Sequence, residues 1–385
     1  LDEGNRVSPV VWLMANAMWY PHDGGGGGHF WVYLNWALAL RALGCRVYWF
    51  EKVSASRPVE QVQAEVSLLS QRLRRYDPAL SVVLTAGNGD RLSVEPLDDC
   101  LDLDAIDDAD VLLNLSYRRL PTRKRFRCSV LVDIDPGLSQ IWISEDQLDI
   151  DVHDLYYTIG ETVGRESALF PDCGITWHYT PPPVNLAAWP VAAAAPDAAY
   201  TTVTHWSDKA VTWRGQTYDN GKREGFLPFL DLPMWTRQPL ELAVYLQGKG
   251  DKAEGALLLE KGWRVRHTGE VTATPWDYHQ YVQQSRGEFS CAKPSCILLQ
   301  NAWISDRTLC YLASGKPAVV QHTGPSRFLP NAEGLFRFRD RDEAVRSMET
   351  LASDYEHHCQ LARQLAEEYF DASKVVGRLL ERACN

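Results

Sequence analysis

The stretch PHDGGGGGHFW, residues 21–31, combines groups that can exchange protons with backbone that carries no side chains. His22, Asp23 and His29 flank five consecutive glycines. A histidine near a carboxylate can act as a general base on a hydroxyl close to neutral pH. The glycines expose backbone N–H groups to a ligand, although a flexible linker has the same composition. For His29 the alternatives are a catalytic base and a helix-capping or packing residue.

A second stretch, residues 300–326, contains a predicted helix that Ser305 or Asp306 caps and Gly315 ends. Arg307 falls in the first turn of this helix, where a cation opposes the helix dipole. An anion bound at the same place removes that conflict, and an arginine fork suits a diphosphate. The alternative is an exposed Arg307 paired with a neighbouring acid. Lys249 and Lys293 are further candidate phosphate partners.

Two more groups follow predicted strands. Asp133 and Asp135, in VDIDPG, can bind sugar hydroxyls or a divalent metal, or they can simply form a turn. His205 and Trp206 end the predicted strand TTVTHW, residues 201–206, just past the linker, and are expected to face a cleft, where Trp206 stacks on a base or sugar. The chain has 14 tryptophans, and extra core bulk is the alternative explanation for them.

Alternating elements must position these residues. The apolar run 10–16, the glycines, a helical segment over 30–45 and the strand-like run 46–52 predict a βαβ unit. Similar alternation continues on both sides of a Pro- and Ala-rich segment. The chain therefore divides into an α/β domain over 1–184, a linker over 185–200, a second α/β domain over 201–356 and a helical tail over 357–385 that packs back towards the first domain. Ligands of such sheets bind beyond the carboxyl ends of the strands.

Composition excludes several classes of protein. The net charge of −11, without a long Lys/Arg block, disfavours nucleic acid and anionic membranes as partners. The nine cysteines include no CxxC pair, which predicts reduced thiols and no structural metal site. The apolar runs fall short of the roughly 20 residues that span a bilayer, and LDEGNRV lacks the apolar core of a secretory signal. We therefore expect a cytoplasmic protein without stable membrane insertion.

Several of these motifs carry a family resemblance. ASGKPAVVQHTG, residues 313–324, together with the helix from Ser305, resembles the C-terminal donor-site segment of GT-B glycosyltransferases. The glycine loop with His29 resembles the N-terminal glycine-rich loop of that fold. More narrowly, DIDPG, PPPVNLAAWP, TTVTHW and GEFSCAK resemble segments of a bacterial glycosyltransferase-like family. The fold implied is α/β, GT-B, with two Rossmann-like domains facing across a cleft and a C-terminal helical tail.

The resemblance implies an enzyme that moves a sugar from a nucleotide-diphosphate donor to a hydroxyl of a small-molecule acceptor, in natural-product or glycan biosynthesis. It implies no bound metal or other cofactor. The expected catalytic residues are His29 and Asp23, and Arg307→Ala is expected to weaken donor binding while the melting temperature hardly changes. The expected acceptor residues are His22, Asp133 and Asp135, and the expected donor residues are Gly26, Gly27, Gly28, Trp206, Lys249, Lys293, Ser305, Asp306, Arg307, Thr323 and Gly324.

The chain also departs from that pattern. Retaining GT-B enzymes commonly carry two glutamates in the donor segment, and the corresponding positions here are Ala302 and Cys310. Inverting and retaining chemistry both stay open. The alternative functions are a nucleotide-sugar epimerase on the same scaffold and a non-catalytic two-domain binding protein.

Overall fold

The computed structural model describes residues 8–18, 26–54, 56–86, 97–119, 125–246, 251–331 and 333–384. Within them, seven parallel strands form a first sheet in the order β3-β2-β1-β4-β5-β6-β7. All five residues of the interior strand β1 are buried, which is typical of a parallel strand covered on both faces. The strands are β1 Val10–Met14, β2 Arg46–Val53, β3 Ser81–Ala86, β4 Ala109–Asn114, β5 Phe126–Asp133, β6 Leu155–Thr158 and β7 Trp177–Tyr179.

A second parallel sheet follows, with six strands among the described residues in the order β12-β11-β8-β13-β14-β15. A two-stranded antiparallel hairpin, β9–β10, leads from the end of β8 back to this sheet. The strands are β8 Tyr200–His205, β9 Val211–Trp213, β10 Gln216–Tyr218, β11 Leu240–Tyr245, β12 Arg264–His267, β13 Gly287–Ser290, β14 Ala318–Gln321 and β15 Leu335–Phe338.

Helices connect the strands and cover both sheets. Among the described residues, no helix is both long and apolar enough to cross a membrane. The helices are α1 Gly27–Ala42, α2 Val59–Tyr76, α3 Leu138–Ser144, α4 Lys222–Phe226, α5 Asp251–Glu260, α6 Thr268–Thr272, α7 Pro275–Gln284, α8 Pro294–Leu299, α9 Asp306–Ala313, α10 Arg341–Ser353, α11 Tyr355–Leu365 and α12 Ala372–Cys384.

Helix α1 is apolar on nearly every side because it is covered on nearly every side. It packs against β2, against α12 and against α7, a helix that connects two strands of the second sheet. Trp31 shows the arrangement: its side chain is buried, and its Nε1 donates to the backbone O of Pro275 at 2.8 Å. A helix that is hydrophobic all round belongs in a core, and α1 fills the core between the two sheets.

The chain crosses twice between the sheets. The first crossing runs from the end of β7 at Tyr179 to the start of β8 at Tyr200, and fully buried Trp189 anchors it. The second crossing is a π-helical turn, Ala366–Phe370, which leads into α12. The two crossings are joined, because Val184 N donates to Phe370 O at 2.8 Å and Ala372 N donates to Val184 O at 3.0 Å. Helix α12 then packs on α1, β4 and β5 of the first sheet.

Candidate functional site

The carboxyl ends of the two sheets face each other across a cleft, and the loop between α8 and α9 bridges them. Asn301 in this loop donates from Nδ2 to the backbone O of Pro136, just after β5, at 2.8 Å. Thr162, after β6, donates from Oγ1 to the backbone O of Gln300 at 3.1 Å. Since ligands of parallel α/β sheets bind beyond the carboxyl ends of the strands, this cleft is the candidate site.

The end of the glycine run lies at one wall of the cleft. Gly26, before α1, has a φ of 62°, in the left-handed region that glycine adopts without strain. A Cβ on Gly27 would lie 2.3 Å from the backbone O of Thr274, and one on Gly28 would lie 3.0 Å from the ring of Tyr278. The absence of side chains therefore lets α1 pack directly against α7. Contact of these glycines with a donor stays a prediction.

His29 lies in the first turn of α1, and its ring contacts the segment that follows β1 of the same sheet. Its Nε2 is 3.2 Å from the backbone O of Asn16, and because a carbonyl only accepts, Nε2 carries the proton. Burial lowers the pKa of His29 to about 4; the bond to Asn16 opposes this shift and the charge of His205, at the end of β8, adds to it. The ring is therefore neutral at pH 7 and is a weak base in this state.

Lys222, at the start of α4, is a buried cation at the opposite wall. Its side chain is 7% exposed, and Nζ donates to the backbone O of Cys291 and lies 5.6 Å from the centre of the Trp303 ring. Burial lowers the pKa of Lys222 to about 7, and the charge of Arg307 lowers it further. Among the described residues, no carboxylate forms an ion pair with Lys222.

A small cavity adjoins Lys222 at the start of α9. Its volume is about 20 Å³, and Ser290, Ser305 and Arg307 also line it. That volume holds about one water molecule or one oxygen of a larger group. The N-terminus of α9, with Ser305 as its cap at 3.2 Å from the Arg307 N–H, opens onto the same cavity. A helix N-terminus and a buried ammonium group thus point at one place, which favours an anion there.

The guanidinium group of Arg307 is largely buried and is not free to bind a diphosphate as an exposed arginine would. Its Nε donates to Oε1 of Glu288 at 2.7 Å, and the Glu288 side chain is fully buried in β13. The remaining nitrogens donate to the Val203 backbone O at 3.0 Å and to Oγ of Ser290 at 2.7 Å. The charge of Arg307 is therefore balanced inside the second sheet, which leaves Lys222 as the cation that faces the cavity without an acidic partner among the described residues.

Comparison with protein-family models found no match, and neither did comparison with curated protein sequences. Solved structures do match over nearly the whole chain. Sucrose-phosphate synthase from Thermosynechococcus elongatus has a TM-score of 0.51 at 11% identity, covering 97% of this chain and 98% of that one. AviGT4, a glycosyltransferase involved in avilamycin A biosynthesis, has a TM-score of 0.52 at 13% identity and 97% coverage of both chains. HepE of Anabaena in complex with UDP-glucose has a TM-score of 0.54 at 13% identity, covering 97% and 99%.

The chain has the GT-B fold. The two parallel sheets, the cleft between their carboxyl ends and the match over both halves decide it. The fold class predicted from the sequence is confirmed. In this GT-B chain the wall with Lys222 and α9 belongs to the second sheet, and the wall with His29 belongs to the first.

The two aspartates of the GT-B cleft have different environments. Asp133 is fully buried and accepts hydrogen bonds from the Tyr117 and Thr158 hydroxyls at 2.8 and 2.7 Å, and from Ser139 Oγ and Gln140 Nε2 at 2.6 and 2.9 Å. These bonds occupy the carboxylate and fix the turn after β5, so the structure favours the turn-forming alternative for Asp133 over contact with an acceptor.

Asp135 instead reaches the cleft. Burial raises the pKa of its carboxyl group to about 6, the charge of Lys293 opposes this shift, and Asp133, Asp306 and Asp208 add to it. The second sheet is flanked by the segments that carry Lys293, Asp306 and Asp208. Asp135 therefore faces the side of the cleft formed by that sheet. Lys293 itself lies 3.4 Å from a carboxylate oxygen of Asp208.

Trp206 and Thr323 are both buried. Trp206 is 2% exposed, packs against Phe226 with ring centres 6.0 Å apart, and belongs to the core of the second sheet, which corrects the expectation that its ring faces the cleft. Thr323 lines the small cavity, but its hydroxyl donates to the Trp303 backbone O at 2.6 Å.

Gly324 has a φ of 144°, and a Cβ there would lie 2.6 Å from the backbone O of Gln300. Asp306 is the first residue of α9, and burial raises the pKa of its carboxyl group.

Three predicted site residues, His22, Asp23 and Lys249, lie outside the described residues. Their assignments as acceptor, catalytic and donor residues stay predictions. Within the part of the chain that the structure describes, no group of three or more His, Cys, Asp or Glu side chains could hold a metal ion.

Sequence reasoning missed Lys222 and a polar cluster at the ends of β1, β2 and β4. In that cluster Arg118 Nη2 donates to Oδ1 of Asn16 at 2.9 Å, and Glu51 Oε1 accepts from the Ala17 N–H at 2.7 Å. Burial raises the pKa of Glu51 to about 7. Because Glu51 is 1% exposed, it holds the segment after β1 rather than contacting a ligand. Helix α4 is too short to show periodicity, so Lys222 has no sequence signal of its own.

Proposed function

We propose that this chain is a glycosyltransferase that moves a sugar from a nucleoside diphosphate to a hydroxyl group of a small-molecule acceptor. The observation that carries the proposal is the buried ammonium group of Lys222, which points with the N-terminus of α9 into the cleft of a GT-B fold. A buried cation without an acidic partner is costly, and a bound anion removes that cost.

The donor side follows from this arrangement. A diphosphate placed at the start of α9 receives the helix dipole and the Lys222 charge, and both stabilise the negative charge that develops on the leaving group. The solved complexes of HepE with UDP and with UDP-glucose support a nucleotide-sugar donor for this fold. Arg307 does not contact the donor in this scheme; it positions Ser290 at the edge of the cavity.

The acceptor side is the wall formed by His29, the Asn16 segment and Asp135. A neutral His29 can hydrogen-bond a sugar or acceptor hydroxyl, and it becomes an effective base only if a bound anion raises its pKa. Asp135, with a pKa near 6, is mostly ionised at pH 7 and can accept a hydroxyl hydrogen bond. Both inverting and retaining transfer are compatible with this wall.

We further propose that the transfer needs no divalent metal, because Lys222 and the helix supply the positive charge that balances the diphosphate. An acceptor of natural-product or glycan biosynthesis fits the proposal, as AviGT4 belongs to the former kind of pathway. All nine cysteines are free thiols, as a reducing compartment such as the cytoplasm maintains them.

The test is a panel of nucleotide sugars, read first by thermal shift and then by release of the nucleoside diphosphate with and without candidate acceptors. Transfer predicts donor-dependent stabilisation and acceptor-dependent release, with and without EDTA. An epimerase would return an altered nucleotide sugar without any acceptor, and a binding protein would be stabilised without release. Absence of stabilisation by every donor would refute the proposal.

Lys222→Met provides the residue-level test, and Lys261→Met is its control. Lys261 lies between α5 and the start of the edge strand β12, at the end of the second sheet away from the cleft. We expect Lys222→Met to weaken donor binding by at least about tenfold and Lys261→Met to leave it unchanged. Equal affinity in the two variants would contradict the placement of the diphosphate.

A further inference from the structure

A second and larger cavity lies where the two crossings between the sheets meet. Its volume is about 500 Å³, which is in the range of small-molecule sites. Thr180 and Pro181 of the first crossing and the π-helical turn of the second form part of its wall. Within the described residues, its lining shares no residue with the cavity at Lys222, and it contains neither His29 nor Asp135.

Aromatic rings supply most of the apolar wall of this cavity. Tyr179 at the end of β7 and Phe328, which follows β14, are parallel within 7° with their ring centres 5.5 Å apart. Phe328 is 41% exposed, and Tyr157 and Tyr369 also line the cavity. The two rings stack on each other, and the half-exposed Phe328 ring offers its outer face to a planar ligand.

Two arginines add positive charge to the aromatic wall. Arg378 and Arg382 are four residues apart on α12, so they lie on the same face of the helix, and both line the cavity. Neither forms an ion pair among the described residues; Arg382 is hydrogen-bonded to the Tyr157 side chain, and its charge also acts on His178. Glu368 is the acid in the lining, and it is hydrogen-bonded to the Tyr369 hydroxyl. The cavity therefore has an excess of positive charge.

We propose that this cavity binds a small organic anion: a planar ring that carries a phosphate or a carboxylate group. The ring stacks on the face of Phe328 that is turned away from Tyr179, and the anionic group pairs with Arg378 and Arg382, since guanidinium groups suit phosphate and carboxylate oxygens. The ligand contacts both crossings and, through Phe328, the second sheet, so it favours the relative orientation of the two sheets seen here.

Calorimetric titration of the full chain with phenyl phosphate and with benzoate tests the proposal. Inorganic phosphate lacks the ring and benzyl alcohol lacks the charge, so both are expected to bind at least about tenfold more weakly than phenyl phosphate. Comparison of phenyl phosphate with benzoate tells which anionic group the site prefers. Failure of both ring-bearing anions to bind at millimolar concentration would overturn the proposal.

Variants place the binding at this cavity. Arg378→Gln/Arg382→Gln is expected to weaken phenyl phosphate binding by about tenfold or more, and Phe328→Ala by about threefold or more. The controls are Arg346→Gln, an exposed arginine on α10, and Leu259→Ala, an exposed apolar residue on α5; both should leave the affinity unchanged. Binding that survives the double variant but is lost in Lys222→Met would place the ligand in the cleft and overturn the proposal.

Discussion

Arg307 and Glu288 form a buried ion pair with 2.7 Å between Nε and Oε1, and this pair lies beneath the wall of the cleft. Removing the arginine leaves a buried carboxylate without its counter-charge. We therefore expect Arg307→Ala to lower the free energy of unfolding by about 3–5 kcal/mol, measured by urea denaturation. The earlier expectation of a nearly unchanged melting temperature assumed an exposed arginine, and the structure reverses it.

Arg307→Met/Glu288→Gln serves as the matched variant because it removes both charges together. It should recover part of the stability that Arg307→Ala loses. A loss below about 1 kcal/mol in Arg307→Ala, as is usual for a surface arginine, would show that the pair is not formed in solution.

The proposed donor site is expected to depend on pH through Lys222. Its pKa is lowered to about 7, so most of its side chains are neutral at pH 7.5, and a bound diphosphate restores the charged form. We expect donor binding at pH 7.5 to take up part of a proton and donor affinity to fall as the pH rises above 7. Calorimetry in two buffers of different ionisation enthalpy measures the uptake. Lys222→Met should abolish it without loss of stability, whereas identical uptake in that variant would assign the proton to another group.

His29 should make the protein less stable in acid. Its pKa falls from 6.5 to about 4 on folding, so the unfolded chain binds more protons between these values and stability drops as the pH decreases through that window. The loss attributable to His29 is up to about 3 kcal/mol. Urea denaturation of the wild type and His29→Gln from pH 4 to 7.5 isolates this contribution, because the raised pKa values of Glu51 and Asp135 act with the opposite sign in both proteins. Parallel curves would show that the ring is accessible to water.

Gly27 tests the packing role of the glycine run. A Cβ at this position would lie 2.3 Å from the Thr274 carbonyl oxygen, which is backbone and cannot rotate away. We expect Gly27→Ala to lower the thermal midpoint, at a cost of about 1–3 kcal/mol, because α1 and α7 must separate. Gly377→Ala, inside α12 with its nearest neighbour 3.9 Å away, should instead stabilise the chain by about 0.5–1 kcal/mol. A stabilising Gly27→Ala would mean that the two helices are not in contact.

Much of the fold was predictable because it depends on local patterns. Apolar runs such as that of β1, followed by turns and helices, specify parallel strands. Ser305 caps α9 because its hydroxyl oxygen accepts a hydrogen bond from the backbone N–H of Arg307, two residues later. The short elements were less predictable: α4 and the β9–β10 hairpin contain too few residues to show a period. The candidate site was the least predictable part of the structure, because Lys222 lies on α4, one of these short elements.

The sequence by itself determined that two α/β sheets carry a glycine-rich turn and a capped helix at their carboxyl ends. Only the tertiary structure decided what the charged and bare positions do. It paired Arg307 with Glu288 on a neighbouring strand and set Gly27 against Thr274, which is far away in the chain. It also surrounded Asp133 with donors. The physical reason is that hydrophobic periodicity reports burial along one element, whereas charge pairing and close backbone contact depend on which elements meet. Gly27 and Gly28 let α1 pack against α7, and the buried Lys222 lies on α4, beside the second sheet.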